Sequence, residues 1–140
     1  MKTLVWIYLS KIAVTVLVWC VPLLLFPDRL LAAAGIPSDH LNFFVRLLGW
    51  AYLALCVGYG FGLAAARRGE FLPGPAWTGI VSNGGACALL LYFGLTGAWS
   101  GWGMTVQAVA WASIGGTALI TVGLLRYALR AGRGSEPVHG

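Results

Sequence analysis

The side chains able to do chemistry in this chain are few, and where they fall limits what they can do. Both histidines, His40 and His139, and all four carboxylates, Asp28, Asp39, Glu70 and Glu136, sit in polar connections or in the tail. A proton relay, an acid–base pair inside a span or a haem held between buried histidines would need such groups within the apolar stretches. Cys20, Cys56 and Cys87 each stand alone in a different apolar stretch, with no CxxC and no Cys/His pairing. Unpaired cysteine in that setting is a small buried hydrophobe rather than a metal ligand. No phosphate-cradling loop and no Ser/His/Asp set is present, so no catalytic residue, metal or resident cofactor is expected, and the chain is read as not an enzyme.

What remains is a handful of polar residues inside apolar surroundings: Lys11, Arg46, Asn83 and Gln107. Arg46 lies about 7 Å below the outer end of its helix at 1.5 Å per residue, and Gln107 stands at a similar depth on another. Two readings of Arg46 follow. In one it snorkels, or pairs with Asp39 or Asp28, and fixes a loop against the bundle. In the other, Arg46 and Gln107 line a pocket for the headgroup of a lipid or a quinone. Asn83 lies nearest the midplane, where an amide either hydrogen-bonds a neighbouring helix or contacts a ligand. Lys11 is read as snorkelling to the inner end of the first helix.

The elements that must position these residues follow from composition. Of 140 residues, 59% are hydrophobic and only 9% charged, against about 25% charged in a soluble domain. Mean hydropathy is +0.83. So few charges cannot cover a water-facing surface, which leaves an integral membrane protein of one domain. Four apolar runs, at 4–26, 41–66, 75–98 and 103–127, each approach the ~20 residues that cross ~30 Å of hydrocarbon as a helix. Residues 128–140 read as a flexible tail. The net charge of +5 does not form an aromatic-interleaved patch, so nucleic acid is excluded as a partner.

Lys2, Arg67, Arg68, Arg126, Arg130 and Arg133 fall on one side of the membrane and Arg29 alone in the loops of the other, which places both termini in the cytoplasm. Short connections between the later runs force antiparallel neighbours. The expected fold is therefore all-α, a four-transmembrane-helix antiparallel bundle. The longer connection "PDRLLAAAGIPSDH" carries a short interfacial helix, with Ser38 as N-cap of the second span and Asp39 beside it. A bend is expected near Pro22, and Trp99 and Trp102 are read as outer interfacial anchors. Small residues at helical spacing, Ala54, Gly58 and Gly62 on the second span and Ala108, Ala112 and Gly116 on the fourth, are expected to mediate helix packing.

The stretch "FVRLLGWAYLALCVGYGFGLAAARR", preceded by "FPDRLLAAAGIP", resembles small bacterial four-span proteins of unknown function near the DoxX-like families. Pro27, Leu30, Leu31, Gly35 and Pro37, then Arg46, Leu47, Leu48, Gly49, Gly58 and Tyr59, carry the resemblance. It implies a multi-pass protein of the bacterial inner (cytoplasmic) membrane, and for some such proteins a role beside quinone-linked or redox enzymes. The functional expectation is a non-catalytic membrane subunit or scaffold that packs against other membrane chains or itself and binds lipid, pigment or quinone passively. The alternatives are an oligomeric small transporter and a quinone- or lipid-binding anchor of a redox enzyme.

Overall fold

The computed structural model describes residues 1–33 and 42–133. Among these residues the regular elements are all helices, with no strand: α1 (Lys2–Val14), a π-helical segment Thr15–Cys20, α2 (Val21–Leu25), α3 (Asp28–Ala33), α4 (Asn42–Arg67), α5 (Pro73–Leu95) and α6 (Met104–Arg133). Four stretches are long and apolar enough to cross a membrane: Lys2–Leu25, Phe43–Arg67, Pro73–Leu95 and Met104–Ala131. Large apolar side chains such as Leu17, Phe61, Val81 and Leu119 face outward and are 66–76% exposed, the pattern of a surface turned to lipid. Ser38, Asp39 and His40 lie outside the described residues.

Two prolines shape the first span, Pro22 within it and Pro27 just past its end. Pro22 has no N–H, and its ring crowds the carbonyl four residues earlier. The chain answers by widening the preceding turn into a π-helix, in which the Val21 N–H reaches back five residues to the Val16 carbonyl. The departure from α-geometry thus lies just before Pro22. Pro27 has the same defect, so in a continuing helix the Leu23 carbonyl would find no donor. Phe26 instead turns extended, with ψ 133°, and Arg46 reaches across from α4. Its Nη1 donates to the Leu23 carbonyl at 2.7 Å, and its Nη2 to the Phe26 carbonyl at 2.7 Å and to Asp28 Oδ1 at 3.2 Å. The planar guanidinium serves two stranded carbonyls at a helix end, where the dipole also favours a cation.

Two glycines stop α4 and α5. Gly69 (φ 84°) and Gly97 (φ 73°) adopt the left-handed conformation open to glycine. After Gly97 the Ala98 N–H bonds back to the Phe93 carbonyl, the closure typical of a helix C-terminus. The third span therefore ends at Leu95 rather than at 98. At the other end of the chain α6 continues to Arg133, so 128–133 are helical.

The spans form a ring in which α1 packs on α4, α4 on α5, α5 on α6, and α6 again on α1. A glycine lies at several of these seams. A Cβ on Gly62 would come within 2.8 Å of Tyr8 Cζ and 2.9 Å of Pro75 Cβ. One on Gly79 would collide with Leu124 Cδ1, and one on Gly123 would lie 2.9 Å from Ile7 Cδ1. The core gathers there, around Leu4, Tyr8, Tyr59, Ala66 and Leu124. Of the six small residues expected at helix contacts, Gly62 is buried in a seam. Ala54, Ala108, Ala112 and Gly116 are exposed, and a Cβ at Gly58 would meet nothing within 4 Å. Trp99 is no interfacial anchor: it is 4% exposed and lies edge-on to Trp111 at 5.8 Å, over Gly94.

Two consequences are measurable by thermal denaturation in detergent. Arg46→Ala is expected to cost about 1–3 kcal/mol by leaving backbone acceptors unpaired, and Arg46→Lys to recover only part of it. Full stability of the alanine variant would refute the capping role. Gly62→Leu is expected to unfold the bundle at a lower temperature while Gly58→Leu leaves the chain's own stability unchanged; equal losses would contradict this seam assignment.

Candidate functional site

On α1, positions 4, 8, 11 and 15 recur at helical spacing and share one face. Leu4, Tyr8 and Thr15 on that face are at most 3% exposed, so Lys11 is carried into the bundle with them. Lys11 stands nine helical steps from Lys2, a rise of about 14 Å, close to half of the ~30 Å hydrocarbon thickness. Its Nζ lies 6.0 Å from the centroid of the Tyr59 ring, at the limit of a cation–π contact. The side chain thus points inward and does not snorkel, because it belongs to the buried stripe. Among the described residues Lys11 forms no ion pair and no hydrogen bond; the two ion pairs there are Arg46–Asp28 and Arg68–Glu70.

Asn83 approaches the same level from α5. It is 1% exposed. Its Nδ2 donates to the Gly79 carbonyl at 2.7 Å, whereas Oδ1 is buried without a partner among the described residues. Next to it Ser82 Oγ and Tyr59 Oη share a 2.6 Å hydrogen bond. On α6 the hydroxyls of Ser113 and Thr117 donate to the carbonyls of Val109 and Ser113, each at 2.7 Å. Their lone pairs remain available as acceptors.

These groups surround a small interior cavity of about 50 Å³, whose walls include Lys11, Tyr59, Ser82, Asn83, Ser113 and Thr117. Beside it, between α1 and α6, runs a wider groove of about 470 Å³ lined by Val14, Val18, Val109, Ala112, Gly116 and Leu119 among others. The two spaces share Lys11, Thr15, Trp19, Ser113 and Thr117. The groove has two local causes. The π-helical segment supplies Thr15, Val18 and Trp19 on a broadened turn, a feature often found at functional sites. Opposite them, Ala112 and Gly116 offer no bulk to fill the gap.

The other sequence candidates lie elsewhere. Gln107 Nε2 donates to the carbonyls of Ser100 and Trp102 at 3.1 and 2.8 Å, closing the α5–α6 connection. Arg46 closes the first span, as described above. Neither lines the groove or the interior cavity. Asn83 does, and so do Ala112 and Gly116. Lys11, expected to snorkel, lines both spaces instead; the 4–8–11–15 stripe, polar at Tyr8, Lys11 and Thr15, carries the signal.

No family model matches the chain, and no curated protein or solved structure matches it. The arrangement itself can bind and orient: an apolar trough leads to a cation and an unpaired acceptor. Replacing Asn83 by leucine of similar shape removes that acceptor, whose burial costs about 1–3 kcal/mol. Asn83→Leu is therefore expected to leave the denaturation midpoint unchanged or to raise it. A marked drop would show that Oδ1 has a partner in the folded protein.

Proposed function

We propose that this chain is a non-catalytic integral membrane protein that holds a lipid-soluble amphiphile in the cleft between α1 and α6. The polar head lies at Lys11 and Asn83 and the apolar body along Val14, Val18, Ala112 and Gly116. One observation carries the reading: an apolar groove ends on polar groups that the described chain leaves unsatisfied. Buried polar groups in hydrocarbon are costly unless paired, so a pocket that keeps them is suited to a ligand that pairs them. Natural occupants of this kind are lipids and quinones, and the chain would serve as their holder beside other membrane chains.

The headgroup contact thereby moves from Arg46 and Gln107 to Lys11 and Asn83, because the donors of the first pair are already engaged by backbone carbonyls. The concentration of Lys and Arg at one end of the spans supports cytoplasmic termini, and the resemblance over residues 20–68 supports a bacterial inner membrane. A transporter has less support, since it would need an aqueous path to Asn83, and the cavity there measures about 50 Å³.

Mass spectrometry of the organic extract from chain purified in mild detergent tests this. An amphiphile in amounts equimolar with the chain is expected. Gly116→Leu, which fills the groove at an exposed position with nothing within 4 Å of its Cβ, is expected to remove most of it without lowering stability. An extract identical in wild type and variant would dismiss the cleft as a binding site.

A further inference from the structure

We infer that the occupant of the α1–α6 cleft is a single-chain amphiphile with an anionic, carboxylate-type head that pairs with Lys11. The inference rests on the cleft being a binding site, as proposed above, and adds the chemistry of what binds.

Charge is the first argument. Lys11 stands about 14 Å along α1, turned towards the Tyr59 ring and away from the membrane surface. The four carboxylates of the chain all fall outside the spans. Among the described residues Asp28 and Glu70 are taken by Arg46 and Arg68. An ammonium left alone in hydrocarbon is among the costliest groups to bury, and one paired with an opposite charge is far less so. With no anion supplied by the spans, a ligand that brings one neutralises the site. The donors also suffice: an ammonium carries three N–H groups. In the complex inferred here one of these turns to Asn83 Oδ1, which lines the same cavity, and the others are left for the head.

Size is the second argument. The cavity between Lys11 and Asn83 measures about 50 Å³, whereas cavities that take a benzene ring measure about 150 Å³. A carboxylate fits the inner space and a substituted quinone ring does not. The adjoining groove, about 470 Å³, follows α6 from Val109 to Ile120, about 16 Å at 1.5 Å per residue. That is half of the ~30 Å hydrocarbon core, the depth covered by one acyl chain of a two-leaflet bilayer. One tail and one small charged head account for both spaces.

The test compares oleic acid with oleyl alcohol, which differ only in the head, for binding to the full chain in nanodiscs of neutral phosphatidylcholine. Wild type is expected to bind the acid about tenfold more tightly than the alcohol or better, the scale of a hydrogen bond to a charged group. Lys11→Met is expected to bind the two alike, and Lys11→Arg to restore the preference for the acid. Equal binding of acid and alcohol by wild type would overturn the anionic head while leaving an amphiphile cleft in place. So would a preference that survives in Lys11→Met. Failure to bind either probe, or binding untouched by Gly116→Leu, would remove the cleft reading and this inference with it. If Lys11→Met does not fold, the acid–alcohol comparison in wild type and Lys11→Arg still decides the charge of the head, and Gly116→Leu still decides the cleft.

Discussion

A chain that crosses hydrocarbon has no water with which to satisfy a broken backbone, and the first span of this protein is disturbed by Pro22 and ended ahead of Pro27. Everything above it depends on how those breaks are closed. At Pro22 the closure is local: the helix widens and the Val21 N–H finds the carbonyl five residues back. At Pro27 it is tertiary, because no nearby residue can donate to the Leu23 carbonyl and Arg46 must come from α4 to do so. That explains a permanent charge inside a membrane helix. The ion pair with Asp28 is partly exposed, with side chains 34% and 53% accessible, and such pairs contribute little. The bonds to backbone carbonyls matter more, since those carbonyls otherwise go unpaired.

The same irregularity shapes the rest of the bundle. In the half of the bundle nearer the start of α1 the helices close tightly, with Gly62 and Gly79 admitting Tyr8 and Leu124 into the gaps where a side chain would stand. Lipid supplies no hydrophobic drive between helices, so this close approach does the holding. Farther along, the π-helical turn faces Ala112 and Gly116, and α1 and α6 leave a groove between them. The device that tolerates Pro22 is therefore also what opens the side of the bundle.

At that level the polar groups divide into two kinds. Ser113, Thr117 and Thr121 return their hydroxyl protons to their own helix, and Tyr59 and Ser82 satisfy each other. Lys11 and Asn83 Oδ1 do not close on the described chain in this way, and neither does Tyr8 Oη, one turn back along α1. Polar groups kept in this state inside a membrane core are the expected mark of a binding site. It is the contrast with their satisfied neighbours, more than their presence, that locates the candidate function.

The residue types and their order were enough to establish an all-helical chain with four stretches able to cross a membrane, because length and apolarity are properties of each segment alone. The scarcity of reactive groups within the spans and the disturbance near Pro22 were legible for the same reason. Span ends were less so: the stop at Leu95 depends on Gly97 adopting a left-handed conformation, which a run of apolar residues does not reveal. Partners were not legible at all. Arg46 and Gln107 stand at matching depths in the sequence, yet each is drawn to a different connection by carbonyls stranded there. In the sequence Lys11 reads as an end-of-helix cation, and only the folded bundle turns its stripe to Tyr59. Which glycines meet a neighbour and which border a groove depends on how α1 and α6 are rotated about their axes. Packing sets that rotation, because side chains three and four apart compete for the same interior space.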